Sequence, residues 1–133
     1  MSLLALQSEI VYGPVASRRL GRSLGVNLMP IDNKLCSLNC AYCQYGWTQI
    51  HTNDGRTNLE QFPTPDEVLL AVKRALAIHT KIDYITFSGN GEPTLHPDFS
   101  QIVQVIKSFR DQMQPDVNLA ILSNSTTCSR PEI

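Results

Sequence analysis

The sequence has only four cysteines in 133 residues, too few for a disulfide scaffold. It also lacks an excess of either charge: 11 Lys and Arg stand against 12 Asp and Glu, for a formal net charge of -1. Such a balance offers no basic footprint for a nucleic-acid partner. No apolar run approaches the roughly 18 residues that a membrane-spanning helix needs. The longest, such as Val68–Val72 and Leu119–Leu122, are core-sized. Met1 to Leu6 has neither the positive lead nor the length of a secretory signal. What remains, 42% hydrophobic and 17% charged, is the composition of a globular chain. The expectation is a soluble, cytoplasmic protein with no membrane partner. Thiols there stay reduced, so clustered cysteines point to metal or redox chemistry.

Hydrophobic periodicity orders the chain. Residues 9–23, with Gly13-Pro14, Arg18, Arg19 and Arg22, read as an irregular basic lead-in. Leu24–Met29 is a short apolar strand ended by Pro30. From Gln44 to Pro63 the chain is polar and reads as a long loop, a length that is unusual unless it serves a function. Thr64-Pro65-Asp66-Glu67 starts a helix: Thr64 caps, Pro65 fits the first position, and Glu67 completes a capping box. Ile82–Phe87 is a β-branched and aromatic strand. Pro97-Asp98 opens a second helix with Phe99, Ile102, Val103, Ile106 and Phe109 on one face, closed by Pro115. Val117–Leu122 is a third strand. Strands alternating with helices imply βαβ units and a parallel sheet, here a βαβαβ unit of the α/β class. Ser129-Arg130-Pro131-Glu132 is a further capping-box pattern, close to Ile133.

Three cysteines fall together as Cys36-x3-Cys40-x2-Cys43. Three thiolates gathered by a short loop suit an iron–sulfur cluster, and three ligands for four irons leave one iron open. Two alternatives stay open on spacing alone. A structural zinc site needs a fourth ligand, and His51 or Cys128 is available for it. Cys40 and Cys43 also form a C-x2-C redox pair, which leaves Cys36 unused.

A second motif, Ser88-Gly89-Asn90-Gly91-Glu92-Pro93-Thr94, follows a strand and precedes a helix. Glycines there allow a ligand close to the backbone, and Glu92 brings a carboxylate acceptor. The segment is not the dinucleotide pattern G-x-G-x-x-G. Both motifs follow consecutive strands of one parallel sheet. They therefore share the carboxyl rim, where open and barrel α/β sheets bind ligands.

Together the motifs resemble those of the radical S-adenosylmethionine (SAM) enzymes. Those enzymes carry C-x3-C-x2-C after their first strand, with an aromatic residue before the last cysteine, as Tyr42 is here. Gly89-Asn90-Gly91-Glu92-Pro93 is similar to their Gly-Gly-Glu-Pro segment with Asn inserted. Tyr12 to Gly25, and Ser88 to Pro97 (Ser-Gly-Asn-Gly-Glu-Pro-Thr-Leu-His-Pro), resemble one subgroup of iron–sulfur oxidoreductases.

The resemblance implies a [4Fe–4S] cluster held by Cys36, Cys40 and Cys43, with SAM chelating the open iron. Tyr42 is then placed by the adenine, and Gly89, Asn90, Gly91 and Glu92 by the methionyl amino group. Ser123 and Asn124, after the third strand, stand where the family often contacts SAM, or form a polar turn. The implied reaction is reductive cleavage of SAM to a 5′-deoxyadenosyl radical that takes hydrogen from a substrate. An electron donor such as flavodoxin or ferredoxin is implied as partner. No catalytic residue is assigned beyond the cluster ligands. The alternative is an iron–sulfur or zinc-binding module without SAM turnover.

The implied fold is a partial (β/α)6 barrel, of which residues 24–133 supply the amino-terminal half, three strands of six. The chain is accordingly expected to be the first part of a longer enzyme. The subgroup is similar to tRNA wyosine-base synthesis enzymes, but the neutral charge gives an RNA partner no support of its own. Arg18, Arg19 and Arg22 read as a basic cluster near the site, more simply a solvated lead-in than an anion site. Trp47 and His51 lie on the loop after the cysteines, where loop packing is the simpler role. His79 lies at a helix end, His96 belongs to the start of the second helix, and Cys128 is a spare thiol.

Overall fold

The computed structural model describes residues 9–29, 35–36, 50–51, 62–79 and 81–124. Strands β1 (Val11–Ser17), β2 (Gly21–Asn27), β5 (Tyr84–Ser88) and β6 (Asn118–Ile121) form one sheet in the order β1-β2-β5-β6. The β1–β2 pair is antiparallel, and the β2–β5 and β5–β6 pairs are parallel. Two short strands, β3 (Leu35–Cys36) and β4 (Ile50–His51), pair in parallel by themselves. Helices α1 (Pro65–Ile78) and α2 (Phe99–Met113) supply the crossovers. The architecture is a mixed α/β fold in which β2, β5 and β6 form the expected parallel βαβαβ unit.

One reading is corrected. Residues 11–17 are not irregular: they form β1, which joins β2 through a turn at residues 18–20. Gly13-Pro14 concealed the strand. Proline cannot donate to a ladder and is tolerated on an edge strand, which β1 is. The pairing register shifts between Tyr12 and Val15, around that dipeptide.

The two central strands explain the layering. Leu24, Val26, Ile85 and Phe87 are buried on one face, in register as Leu24↔Ile85 and Val26↔Phe87. Val68, Val72 and Leu76 of α1 and Phe99, Ile102 and Ile106 of α2 join them in one core. The alternate positions, Ser23, Gly25, Asn27, Thr86 and Ser88, are small and polar and occupy the other face. Their groups bond across it: Ser23 Oγ and Thr86 Oγ1 lie 2.6 Å apart, and Tyr12 Oη bonds Ser88 Oγ. The Tyr12 ring lies directly over Gly25, in the space that a side chain there would take.

Local signals at the helices hold. Thr64 Oγ1 accepts from the Glu67 amide at 3.2 Å, the capping bond that the sequence forecasts. His96 starts α2 from outside. Its Nε2–H donates to the Pro63 carbonyl at 2.6 Å, and its Nδ1 accepts from the Asp98 amide at 3.0 Å. That pairing fits the neutral ring. Burial pushes the His96 pKa below its usual 6.5, outweighing the Pro63 bond and the nearby Asp98, which raise it.

The sign follows from linkage. The unfolded chain binds a proton at His96 before the folded chain does. Stability is therefore full above about pH 6.5 and declines as pH falls from there toward the lower folded value. Urea unfolding between pH 7.5 and 5.5 should show this decline, and His96→Gln should flatten it. Equal slopes in both chains would count against the assignment.

Candidate functional site

The parallel strands end together. Asn27 at the end of β2 is in register with Ser88 at the end of β5, and the chain after β6 reaches Ser123 and Asn124 beside them. The glycine segment leaves β5 at this rim. Gly89 and Gly91 have φ of 123° and 140°, conformations that side-chain-bearing residues rarely adopt. A Cβ on Gly89 would stand 2.5 Å from Asn27 Oδ1 and 2.8 Å from Asn27 Cγ. Gly89→Ala should accordingly cost about 3 kcal/mol, from backbone strain and a clash with a buried neighbour. A chemical-denaturation midpoint equal to the unsubstituted chain's would refute this.

Asn27 is wholly buried. Its Oδ1 accepts from the amides of Met29 at 3.1 Å and Asn90 at 3.2 Å, which fixes the orientation of the carboxamide. Its Nδ2 then has no hydrogen-bond partner among the described residues. A buried donor left in this way costs about 1–3 kcal/mol unless something accepts from it.

Glu92 is 2% exposed and gathers three parts of the rim. Its Oε1 accepts from Thr94 Oγ1 at 2.8 Å and from Ser123 Oγ at 2.6 Å. Its Oε2 accepts from the Asn124 amide at 2.8 Å. The Asn124 side chain in turn donates from Nδ2 to Cys36 Sγ at 3.4 Å. Cys36 is buried and forms no disulfide. The glycine segment, the loop after β6 and the first cysteine of the cluster motif thus form one connected group.

Gly89, Asn90, Gly91, Glu92, Ser123 and Asn124 therefore share the rim of the main sheet, and Cys36, on the separate β3–β4 pair, joins them through Asn124. Tyr42, Cys40, Cys43, Trp47, Cys128 and the helix start at Ser129 lie outside the described residues. Residue 51 is the register partner of Cys36 in the β3–β4 pair. Among the described residues no three His, Cys, Asp or Glu side chains converge as a metal site. The basic cluster is placed at the other end of the sheet, not near this rim. Arg18 and Arg19 lie in the turn before β2, and the Arg22 amide donates to Asp83 Oδ2 at 2.8 Å. The Asp83 backbone bonds Arg22 and Asn118, so this residue ties the amino ends of β2, β5 and β6.

Sequence reasoning missed Asn27 and Thr94. The alternation Ser23-Leu24-Gly25-Val26-Asn27 was a usable signal, since it marks Asn27 as facing away from the helices.

The model of the radical SAM superfamily matches residues 32–133. The chain belongs to this superfamily. The matched segment includes β3, the cysteine motif, both helices and the Gly89–Glu92 and Ser123–Asn124 parts of the rim; Asn27 and β2 precede it. The chain is 38% identical over 128 residues to a protein named GTPase Obg from Brachyspira hyodysenteriae, covering 96% of this chain and 17% of that protein. It is 38% identical over 126 residues to a UPF0026 protein of Methanocaldococcus jannaschii, covering 93% of this chain and 36% of that one. A UPF0026 protein of Helicobacter pylori is 38% identical over 125 residues, with 93% and 37% covered. The chain thus spans little more than a third of the UPF0026 relatives' length, and less of the first. No solved structure matches it significantly. Among the described residues no helix is long and apolar enough to cross a membrane.

The described part of the rim fits the cofactors of the superfamily, generally a [4Fe–4S] cluster and SAM. A buried thiol with an amide donor beside it suits a cluster ligand. Glycine backbone with positive φ and an orphaned buried carboxamide donor suit a small polar ligand lying against the strand ends.

Proposed function

We propose that this chain carries the cluster- and SAM-binding part of a radical SAM enzyme in the iron–sulfur oxidoreductase subgroup. Cys36, Cys40 and Cys43 would hold a [4Fe–4S] cluster with one iron open to SAM. The observation that carries the reading is the bridge from Glu92 through Asn124 to Cys36, which joins the two motifs on one rim. When bound, the cluster supplies the electron that cleaves SAM to methionine and a 5′-deoxyadenosyl radical, which takes hydrogen from a substrate.

The chain's own residues bind and orient. Glu92 already accepts three protein donors, so we assign the methionyl amino group to backbone carbonyls of the Gly89–Gly91 segment. The Asn27 carboxamide has an Nδ2 donor available for an acceptor of the ligand, Tyr42 would contact the adenine, and Ser123 and Asn124 would complete the site. Cys36 and Glu92 are themselves buried, which would help to limit water at the reacting centre. A cytoplasmic setting and an electron donor of the flavodoxin or ferredoxin kind belong to the same reading. The UPF0026 relatives are much longer than this chain, and substrate contacts would lie in the part they carry beyond it.

The test is anaerobic iron–sulfur reconstitution followed by dithionite and SAM. About four irons per chain and the appearance of 5′-deoxyadenosine are expected. Stoichiometric zinc with background iron would sink the proposal. Iron without 5′-deoxyadenosine in the full-length protein would favour a binding module without SAM turnover.

A further inference from the structure

We propose that Asn124 is a positioning residue for the cluster: its side-chain N–H donates to the Cys36 sulfur and raises the cluster's reduction potential. The inference rests on the reading of Cys36 as a cluster ligand and goes further by assigning a tuning role to one side chain.

The geometry is specific. Asn124 Nδ2 lies 3.4 Å from Cys36 Sγ, a normal N–H···S separation for an acceptor as large as sulfur. The donor is held from behind. The Asn124 amide is anchored on Glu92 Oε2 at 2.8 Å, and Ser123 on Glu92 Oε1 at 2.6 Å, so the side chain projects from a fixed stretch of backbone. Glu92 is itself buried and bonded to Thr94 within its own loop. A lone exposed asparagine would swing away. This one is braced by a buried carboxylate that is 32 residues earlier in sequence and adjacent in space.

The consequence follows from charge. Reduction adds negative charge that is shared by the cluster sulfurs and the coordinating thiolates. An N–H dipole aimed at one of those thiolates stabilises the reduced form more than the oxidised form. Hydrogen bonds to sulfur are among the factors that set iron–sulfur potentials. A partly buried site strengthens the effect, because the local dielectric is low. Glu92 contributes by aiming the donor, not by touching the metal.

The test compares the full chain with Asn124→Leu, which removes the donor, and Asn124→Asp, which keeps the shape and replaces the donor by an acceptor. Iron and sulfide content and the midpoint potential are measured on each, the latter by redox titration followed by electron paramagnetic resonance. Equal iron in all three chains is expected. The Leu variant's midpoint should fall by the equivalent of about a tenfold change in the oxidised-to-reduced ratio, about 59 mV for a one-electron couple. The Asp variant should fall at least as far. Failure of the unsubstituted chain to bind iron overturns the proposed function itself. Iron-loaded variants with an unchanged potential overturn the role of Asn124 and leave the proposed function standing. If only one variant loads iron, its potential decides. If neither loads while the unsubstituted chain does, Asn124 serves assembly, and the tuning role is wrong.

Discussion

Replacing Cys40 by alanine is expected to remove the iron–sulfur centre, whereas Cys128→Ala should leave iron content unchanged. The asymmetry follows from the spacing. Cys40 stands between Cys36 and Cys43 in a segment of eight residues, and no other cysteine is near enough in sequence to take its place. With two thiolates left, the remaining irons lose a strong anionic ligand in a site built for three, and a partial cluster is readily lost. Cys128 is outside the spacing. Iron and sulfide analysis after anaerobic reconstitution, with the visible absorption of the cluster, reads the result directly. Equal loss in both variants would mean that the ligand set is wrong. Equal retention in both would mean that Cys40 is not a ligand.

The second large effect is expected at Glu92. Glu92→Ala strips the acceptor from Thr94 Oγ1, Ser123 Oγ and the Asn124 amide at once. It also opens a space where a 2%-exposed side chain stood. Each buried donor left unmade costs about 1–3 kcal/mol, and the partly exposed ones recover some of that from water. A loss of about 3–5 kcal/mol is expected, a large part of the 5–15 kcal/mol that holds a typical domain together. Glu92→Gln keeps the volume and one acceptor oxygen but turns an amide toward one of the donors. Its cost should be about 1–2 kcal/mol. Chemical denaturation of the two variants orders them. If Glu92→Ala falls within about 0.5 kcal/mol of the unsubstituted chain, the ordinary range for surface changes, the carboxylate does not brace the rim.

The two effects separate kinds of residue. On the proposed reading Cys40 would matter for the cluster it holds, and its loss should leave the sheet and helices intact. Glu92 matters because of what it holds in place. Its loss should disturb Ser123, Asn124 and the Cys36 sulfur together, and with them the cluster side of the site.

The sequence by itself determined a good deal. Thr64 and Glu67 announced the first helix, and the apolar stripe from Phe99 to Ile106 announced the second. The runs at Leu24, Ile82 and Val117 announced the three parallel strands. Periodicity and capping are local properties, and the chain states them outright. The cysteine spacing and the Gly-Asn-Gly-Glu-Pro segment carried the superfamily, because a ligand set needs particular residue types at particular intervals.

Other features were decided only in three dimensions. Strand β1 was hidden by Gly13-Pro14, since only its place at the sheet edge makes that dipeptide compatible with a strand. Arg18, Arg19 and Arg22 were read near the site because they precede it in sequence. An antiparallel hairpin carries them to the opposite end of the sheet. The link from Glu92 to Asn124 to Cys36 joins residues 32 and 88 positions apart, and nothing local foreshadows it. Parallel strands create such links. Every crossover returns the chain to the same rim, so groups remote in sequence become neighbours there, and their chemistry depends on register that no single segment encodes.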